Sequence, residues 1–126
     1  MRIYAFISVY FLGVVIAFTQ PEISFDEKVI KYNKVKAGQT LGFNFIYTNT
    51  GTEPLVISSI NVSCNCTKFS FSEKPTLPNQ KDTIHVTFNT NGKYGWQDRE
   101  LIIHSNAKNS PEKIRFKGMV DNKQTK

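Results

Sequence analysis

From Thr40 to Thr48 the large residues Leu41, Phe43, Phe45 and Tyr47 alternate strictly with Gly42, Asn44, Ile46 and Thr48. An extended backbone sends successive side chains to opposite faces, so this rhythm places four large residues on one face of a strand; a helix would scatter them around its axis. A face so apolar needs a second layer to cover it. The same period returns in Ile84, Val86 and Phe88, with His85 and Thr87 on the outer side. It returns again in Leu101 and Ile103, with Ile102 and His104 opposite, and fades through Ile114, Phe116 and Val120, where Gly118 is expected to interrupt the last strand. No stretch carries a sustained i, i+3, i+4 apolar stripe behind an N-cap, so little or no helix is expected beyond the leader.

Turn chemistry separates these runs. Glu22–Phe25 and Val29–Tyr32 read as split edge strands around the charged Asp26-Glu27-Lys28. After Tyr47 the chain reverses through Asn49-Thr50-Gly51-Thr52-Glu53-Pro54, with Gly51 available for a positive φ. Leu55-Val56-Ile57 opens the next strand, but after Ser58-Ser59 the apolar parity moves to Ile60, Val62, Cys64 and Cys66. Such a switch marks a bulge or a crossing between sheets. Phe69 and Phe71 begin a short piece that stops at the proline-bearing loop of residues 74–80. Asn91-Gly92-Lys93-Tyr94-Gly95 turns the chain once more. About seven to eight short strands in roughly a hundred residues fit a β-sandwich better than a closed barrel.

The 126 residues fit one domain. Residues 1–19 have the layout of a signal peptide: Arg2, then an uncharged, mostly apolar run from Ile3 to Phe18, with Ala17 and Thr19 as the small residues before a cut at Gln20. The run is shorter than a membrane span usually requires, so cleavage rather than anchoring is expected, with no stable membrane insertion afterwards. The expected mature domain is residues 20–126, with its core in 23–120. Localisation is then export, to periplasm, cell surface or medium.

Sixteen Lys and Arg against ten Asp and Glu give a net charge of +6. The lysines are dispersed, without a basic run interleaved with aromatics, which argues for a solvated surface and against nucleic acid as a partner. Catalysis would need a nucleophile beside a His with an orienting acid, or two carboxylates in a cleft, and no such set stands out. Asp26-Glu27 and Asp98-Arg99-Glu100 read as solvent-facing charges. No catalytic residue and no cofactor is expected.

Several of these elements together resemble a bacterial family, domain of unknown function 1573, whose fold is similar to the immunoglobulin-like domains of the major-sperm-protein and Hydin type. The residues that carry the resemblance are Phe45-Ile46-Tyr47-Thr48-Asn49-Thr50-Gly51, Pro54-Leu55-Val56-Ile57, Ser63-Cys64-Asn65-Cys66-Thr67, Thr87-Phe88-Asn89-Thr90, the Gly95 turn, Ser105-Asn106 and Gly118-Met119-Val120. Two departures stand out. Asn65 replaces the usual glycine between the cysteines, and only Lys31-Tyr32-Asn33 represents an early Asp-Phe-Gly-like element. Asn tolerates left-handed backbone, so a turn at Asn65 survives. The resemblance implies a secreted or envelope-located domain and brings no activity with it.

Cys64 and Cys66 are the residues with an argument for chemistry. In an extended strand, positions two apart lie ~6.6 Å apart at Cα, too distant for a disulfide; a turn at Asn65 would bring the sulfurs together in a strained, more reducible ring. Burial as structural cysteines, a turn-assisted disulfide and a copper-type metal pair stay open, with burial tendency favouring the first. His85, His104 and Met119 show no convergence on the pair. Tyr94 and Trp96 either form an exposed contact for a protein or glycan or cap the end of the core, and the usual place of large aromatics favours capping. The functional expectation is an exported, non-enzymatic binding or structural module of the bacterial cell envelope, engaging a protein or carbohydrate. The alternative is a thiol-based copper-binding or redox protein using Cys64 and Cys66.

Overall fold

A computed structural model describes residue 5, residues 7–10, residue 13 and residues 19–121. The expected leader falls largely outside the described residues, as does the tail of residues 122–126. Among the described residues no helix is long and apolar enough to cross a membrane.

Among the described residues, nine strands form two layers: β1 (Ile23–Phe25), β2 (Val29–Lys31), β3 (Val35–Lys36), β4 (Thr40–Asn49), β5 (Ile57–Val62), β6 (Thr67–Ser70), β7 (Lys81–Asn89), β8 (Gly95–Ser105) and β9 (Glu112–Asp121). One sheet runs β1-β4-β7-β6, and the other runs β2-β9-β8-β5 with β3 also on β9. The two short edge pieces expected near the start therefore join different sheets. β1 pairs antiparallel with β4, whereas β2 and β3 pair parallel with β9 at Arg115–Lys117 and Val120–Asp121. Val35–Lys36 lacked any strand pattern of its own, and β9 supplies its partner.

The alternating rows meet between the layers. Phe43, Phe45, Tyr47, Ile84, Val86 and Phe88 from the first sheet face Ile57, Ile60, Leu101, Ile103, Ile114 and Phe116 from the second, and all are buried. Phe116 stacks on Phe43 with ring centroids 4.8 Å apart and lies tilted against Phe88 at 5.1 Å, separations at which aromatic pairs attract. The parity switch after Ile57 is a register shift between Ile57 and Ser59 against β8. That bulge turns both Ile57 and Ile60 inward. The expected strand start at Leu55 is instead a lone bridge to Thr76.

Gly118 does not interrupt β9, which runs through it to Asp121. The Tyr32 ring lies over this glycine, and a Cβ there would meet Tyr32 Cδ2 and Cε2 at 2.4 Å. An aromatic ring thus covers backbone that glycine leaves bare, and it continues into Phe43 at 5.6 Å. Gly51 is likewise required for space rather than for φ. Only Gly38, Gly92 and Gly95 among the glycines have positive φ, whereas a Cβ on Gly51 would lie 2.3 Å from the Gln20 carbonyl oxygen.

Beside Gly51, the fully buried Asn49 ties one end of the sandwich together. Its Nδ2 donates to the carbonyls of Glu53 at 2.7 Å and Thr76 at 2.9 Å. Its Oδ1 accepts from the Gly51 N–H at 3.0 Å and the Glu22 N–H at 3.4 Å. Asn109 acts similarly from the β8–β9 connection: its amide accepts from the Ile23 N–H and donates to the Ile23 carbonyl, as a neighbouring strand would. Asn106 accepts from the Val56 N–H at 2.8 Å and donates to the Pro54 carbonyl.

Asn49→Ala strands buried carbonyls and should cost about 3 kcal/mol, read as a lowered urea midpoint with unchanged slope. Gly118→Ala should cost about 1–3 kcal/mol by displacing the Tyr32 ring. In a double-mutant cycle, Tyr32→Ala combined with Gly118→Ala should cost less than the two single changes added together.

Candidate functional site

The sequence leads to two places, and both lie towards the end of the sandwich away from Asn49. The first is the connection between β5 and β6. β5 leaves its sheet after Val62, and Ser63–Cys66 carries the chain across to Thr67 in the other sheet. Cys64 and Cys66 are joined by a disulfide, with Cα atoms 5.2 Å apart, so the chain between them is not extended. Both cysteines are half-buried. The favoured reading as buried structural thiols is thereby corrected: the turn at Asn65 brings the sulfurs together at the surface crossing instead of continuing β5 into the core.

Backbone hydrogen bonds hold this turn. The Thr67 N–H donates to the Cys64 carbonyl at 3.1 Å, and the Asn89 N–H at the end of β7 donates to the Cys66 carbonyl at 2.9 Å. The Cys66 N–H points at Cys64 Sγ, 3.2 Å away. Asn65 makes the turn without a left-handed φ; the described asparagine with a positive φ is Asn79. A cleft of about 300 Å³ adjoins the bridge, lined by Thr40, Asn65, Cys66, Lys68, Thr87 and Asn89.

With the sulfurs bonded to each other, neither offers a thiolate to copper. Among the described residues no group of three or more His, Cys, Asp or Glu is placed to hold a metal. His85 and His104 are occupied elsewhere, within 2.7 Å of Asn44 Oδ1 and 3.2 Å of Asn61 Nδ2 respectively.

The second place is the start of β8. Trp96 is 60% exposed and Tyr94 69% exposed, so Trp96 does not cap the core. Its position explains the difference: Trp96 pairs across with Met119 on the outer face of the sheet, one residue out of phase with the inward row. Met119 is itself 38% exposed, and together the three side chains leave apolar surface in solvent. β5 covers β8 only from Leu101 to Ser105, so Gly95–Glu100 has β9 on one side and no strand on the other among the described residues. A cleft of about 370 Å³ opens where β5 stops, lined by Asn61, Val62, Ser63, Glu100 and Ile102.

Arg99 was not legible as an inward-facing, half-buried residue. Within the expected solvent-facing trio, Asp98 is exposed but Arg99 shares the inward parity of Gln97 and Leu101. Its guanidinium lies 5.8 Å from the centre of the Phe88 ring and donates to Gln97 Oε1 at 2.8 Å. Burial pushes the Tyr32 phenol above its ordinary pKa, and the Arg99 charge pulls the other way. On the outer face, Arg115 pairs with Asp98 and Glu100, and Lys113 also pairs with Glu100, as expected of solvated charge.

Comparison with solved structures identifies the architecture. A protein of unknown function from Porphyromonas gingivalis W83 superposes with a TM-score of 0.70 at 12% identity, covering 83% of this chain and 50% of that one. The chain thus spans half the length of that protein. The ASH / PapD-like domain 7 of human CEP192 gives 0.64 at 10% identity, over 98% of this chain and 100% of that one. WR4, a Caenorhabditis elegans MSP family member, gives 0.51 at 10% identity, over 78% and 96%. At such identities the likeness shows the fold alone, an immunoglobulin-like sandwich of the PapD and MSP kind. No curated protein sequence matches the chain. The family described as "Protein of unknown function (DUF1573)" matches residues 23–120, from the first residue of β1 nearly to the end of β9, and this chain belongs to that family.

Proposed function

We propose that this domain is an exported, non-enzymatic binding module of the bacterial cell envelope that engages a partner protein by its β8 end. The observation that carries this reading is the coincidence of an uncovered strand edge with exposed aromatics. Gly95–Glu100 extends beyond β5, while Tyr94, Trp96 and Met119 stand in solvent beside it. An added strand gains main-chain hydrogen bonds along such an edge, and aromatic side chains supply anchoring area. The apolar run before Gln20 supports export. The absence of a nucleophile–base pair in the sequence supports a non-catalytic role. A carbohydrate stacked on Trp96 is the competing occupant, since aromatic faces serve both.

The test is photo-crosslinking in intact cells from a reactive residue placed at Tyr94 or Trp96, with Leu77 as an exposed control position. Adducts to one protein from the first two positions and not from Leu77 are expected. Trp96→Ala should weaken capture of that protein by at least about tenfold, the scale of a side chain contributing over 1 kcal/mol, with the urea midpoint unchanged. Cell fractionation that leaves the protein in the cytoplasm would defeat the export reading. Adducts to glycan alone would select the competing occupant.

A further inference from the structure

We infer that the Cys64–Cys66 bridge is a thiol–disulfide exchange site in which an incoming thiolate attacks Cys66 Sγ and Cys64 departs. This inference is independent of the β8 edge. The bond closes a ring with a single residue between the cysteines, and it sits half-buried at a surface turn rather than in the core. Structural disulfides normally tie distant segments and lie beyond a nucleophile's reach; this one ties a turn to itself and removes little freedom from the unfolded chain. Its contribution to stability is correspondingly small, and both cysteines are partly open to solvent at the turn.

Three features distinguish the two sulfurs. Cys66, and not Cys64, lines the adjoining cleft, so approach is from the Cys66 side. The Cys66 N–H is directed at Cys64 Sγ, and a donor aimed at that sulfur stabilises negative charge developing on it. The sulfur whose thiolate is better stabilised leaves faster. Lys68 lines the same cleft, and none of the described lining residues is acidic, so an anionic nucleophile meets positive charge there.

The step balances without an outside oxidant. A thiolate RS⁻ forms a bond to Cys66 Sγ, the Cys64–Cys66 bond breaks, and its electron pair leaves on Cys64 Sγ as a thiolate. The product is an R–S–S–Cys66 mixed disulfide. A second thiol on the same partner can then displace Cys66, leaving the partner oxidised by one disulfide and this chain reduced to two thiols. The substrate class is therefore a thiol, carried either by a small molecule or by a cysteine-containing polypeptide.

The experiment uses the oxidised, folded protein with two probes in separate arms, glutathione and a short extended peptide holding one cysteine. Mixed disulfides are trapped rapidly with N-ethylmaleimide and located by fragmentation mass spectrometry. The expected product carries the probe on Cys66 and the maleimide on Cys64, and the faster arm identifies the source of the thiol. Lys68→Glu should slow adduct formation by about tenfold at low salt, whereas Lys74→Glu should not. A probe found on Cys64 with the maleimide on Cys66 would overturn the assignment. So would adducts that form only after unfolding in guanidinium. Both readouts are made on the unaltered chain, so they stand whether or not the Lys68 variant folds.

Discussion

Everything in this molecule is arranged around the meeting of two inward rows of large side chains, with Phe116 at their centre against Phe43 and Phe88. Each such ring, fully removed from water, contributes about 1.5–3 kcal/mol, whereas an exposed ion pair such as Arg115 with Asp98 contributes about 0–1 kcal/mol. The packing of the rows therefore decides the register, and the charges follow it. A slip of one residue in β4 would turn Phe43, Phe45 and Tyr47 outward together, which is why the strand tolerates only one alignment with β7.

That dominance explains what was readable from the chain. β4, β7 and the inward half of β8 announce themselves because each buries one face and wets the other. The bulge at Ser58 was visible as a change of parity. What sequence rhythm could not show was the sheet to which a short piece belongs. Val29–Lys31 and Val35–Lys36 carry too few residues for a pattern, and their places follow from the edge that β9 offers. Gly118 and Gly51 were misread for a related reason. A glycine's neighbours across space, Tyr32 in one case and the Gln20–Glu22 backbone in the other, determine why it must lack a side chain.

The candidate sites were legible in part. Tyr94, Trp96 and the cysteine pair drew attention by residue type, but their setting depends on where strands end. Trp96 stands outside because it is out of phase with Gln97 and Arg99, a parity that the preceding Gly95 turn leaves ambiguous in sequence. The cysteines continue the parity of Ile60 and Val62 and so look like core, yet the chain has already left the sheet. Their turn and the open stretch of β8 have a common origin, since the crossing that draws residues 63–66 to the other sheet is what ends β5 short of its neighbour.

The attachment of β2 and β3 to β9 joins nearly the first segment of the domain to its last. A polypeptide emerging amino-end first makes residues 29–36 long before residues 112–121 exist, so this border strip has nowhere to dock until the domain is almost wholly synthesised. Such late closure over a long loop is slow. Until it happens, the nascent sheet presents a raw margin to its surroundings, the interval in which a helper protein would have most to protect.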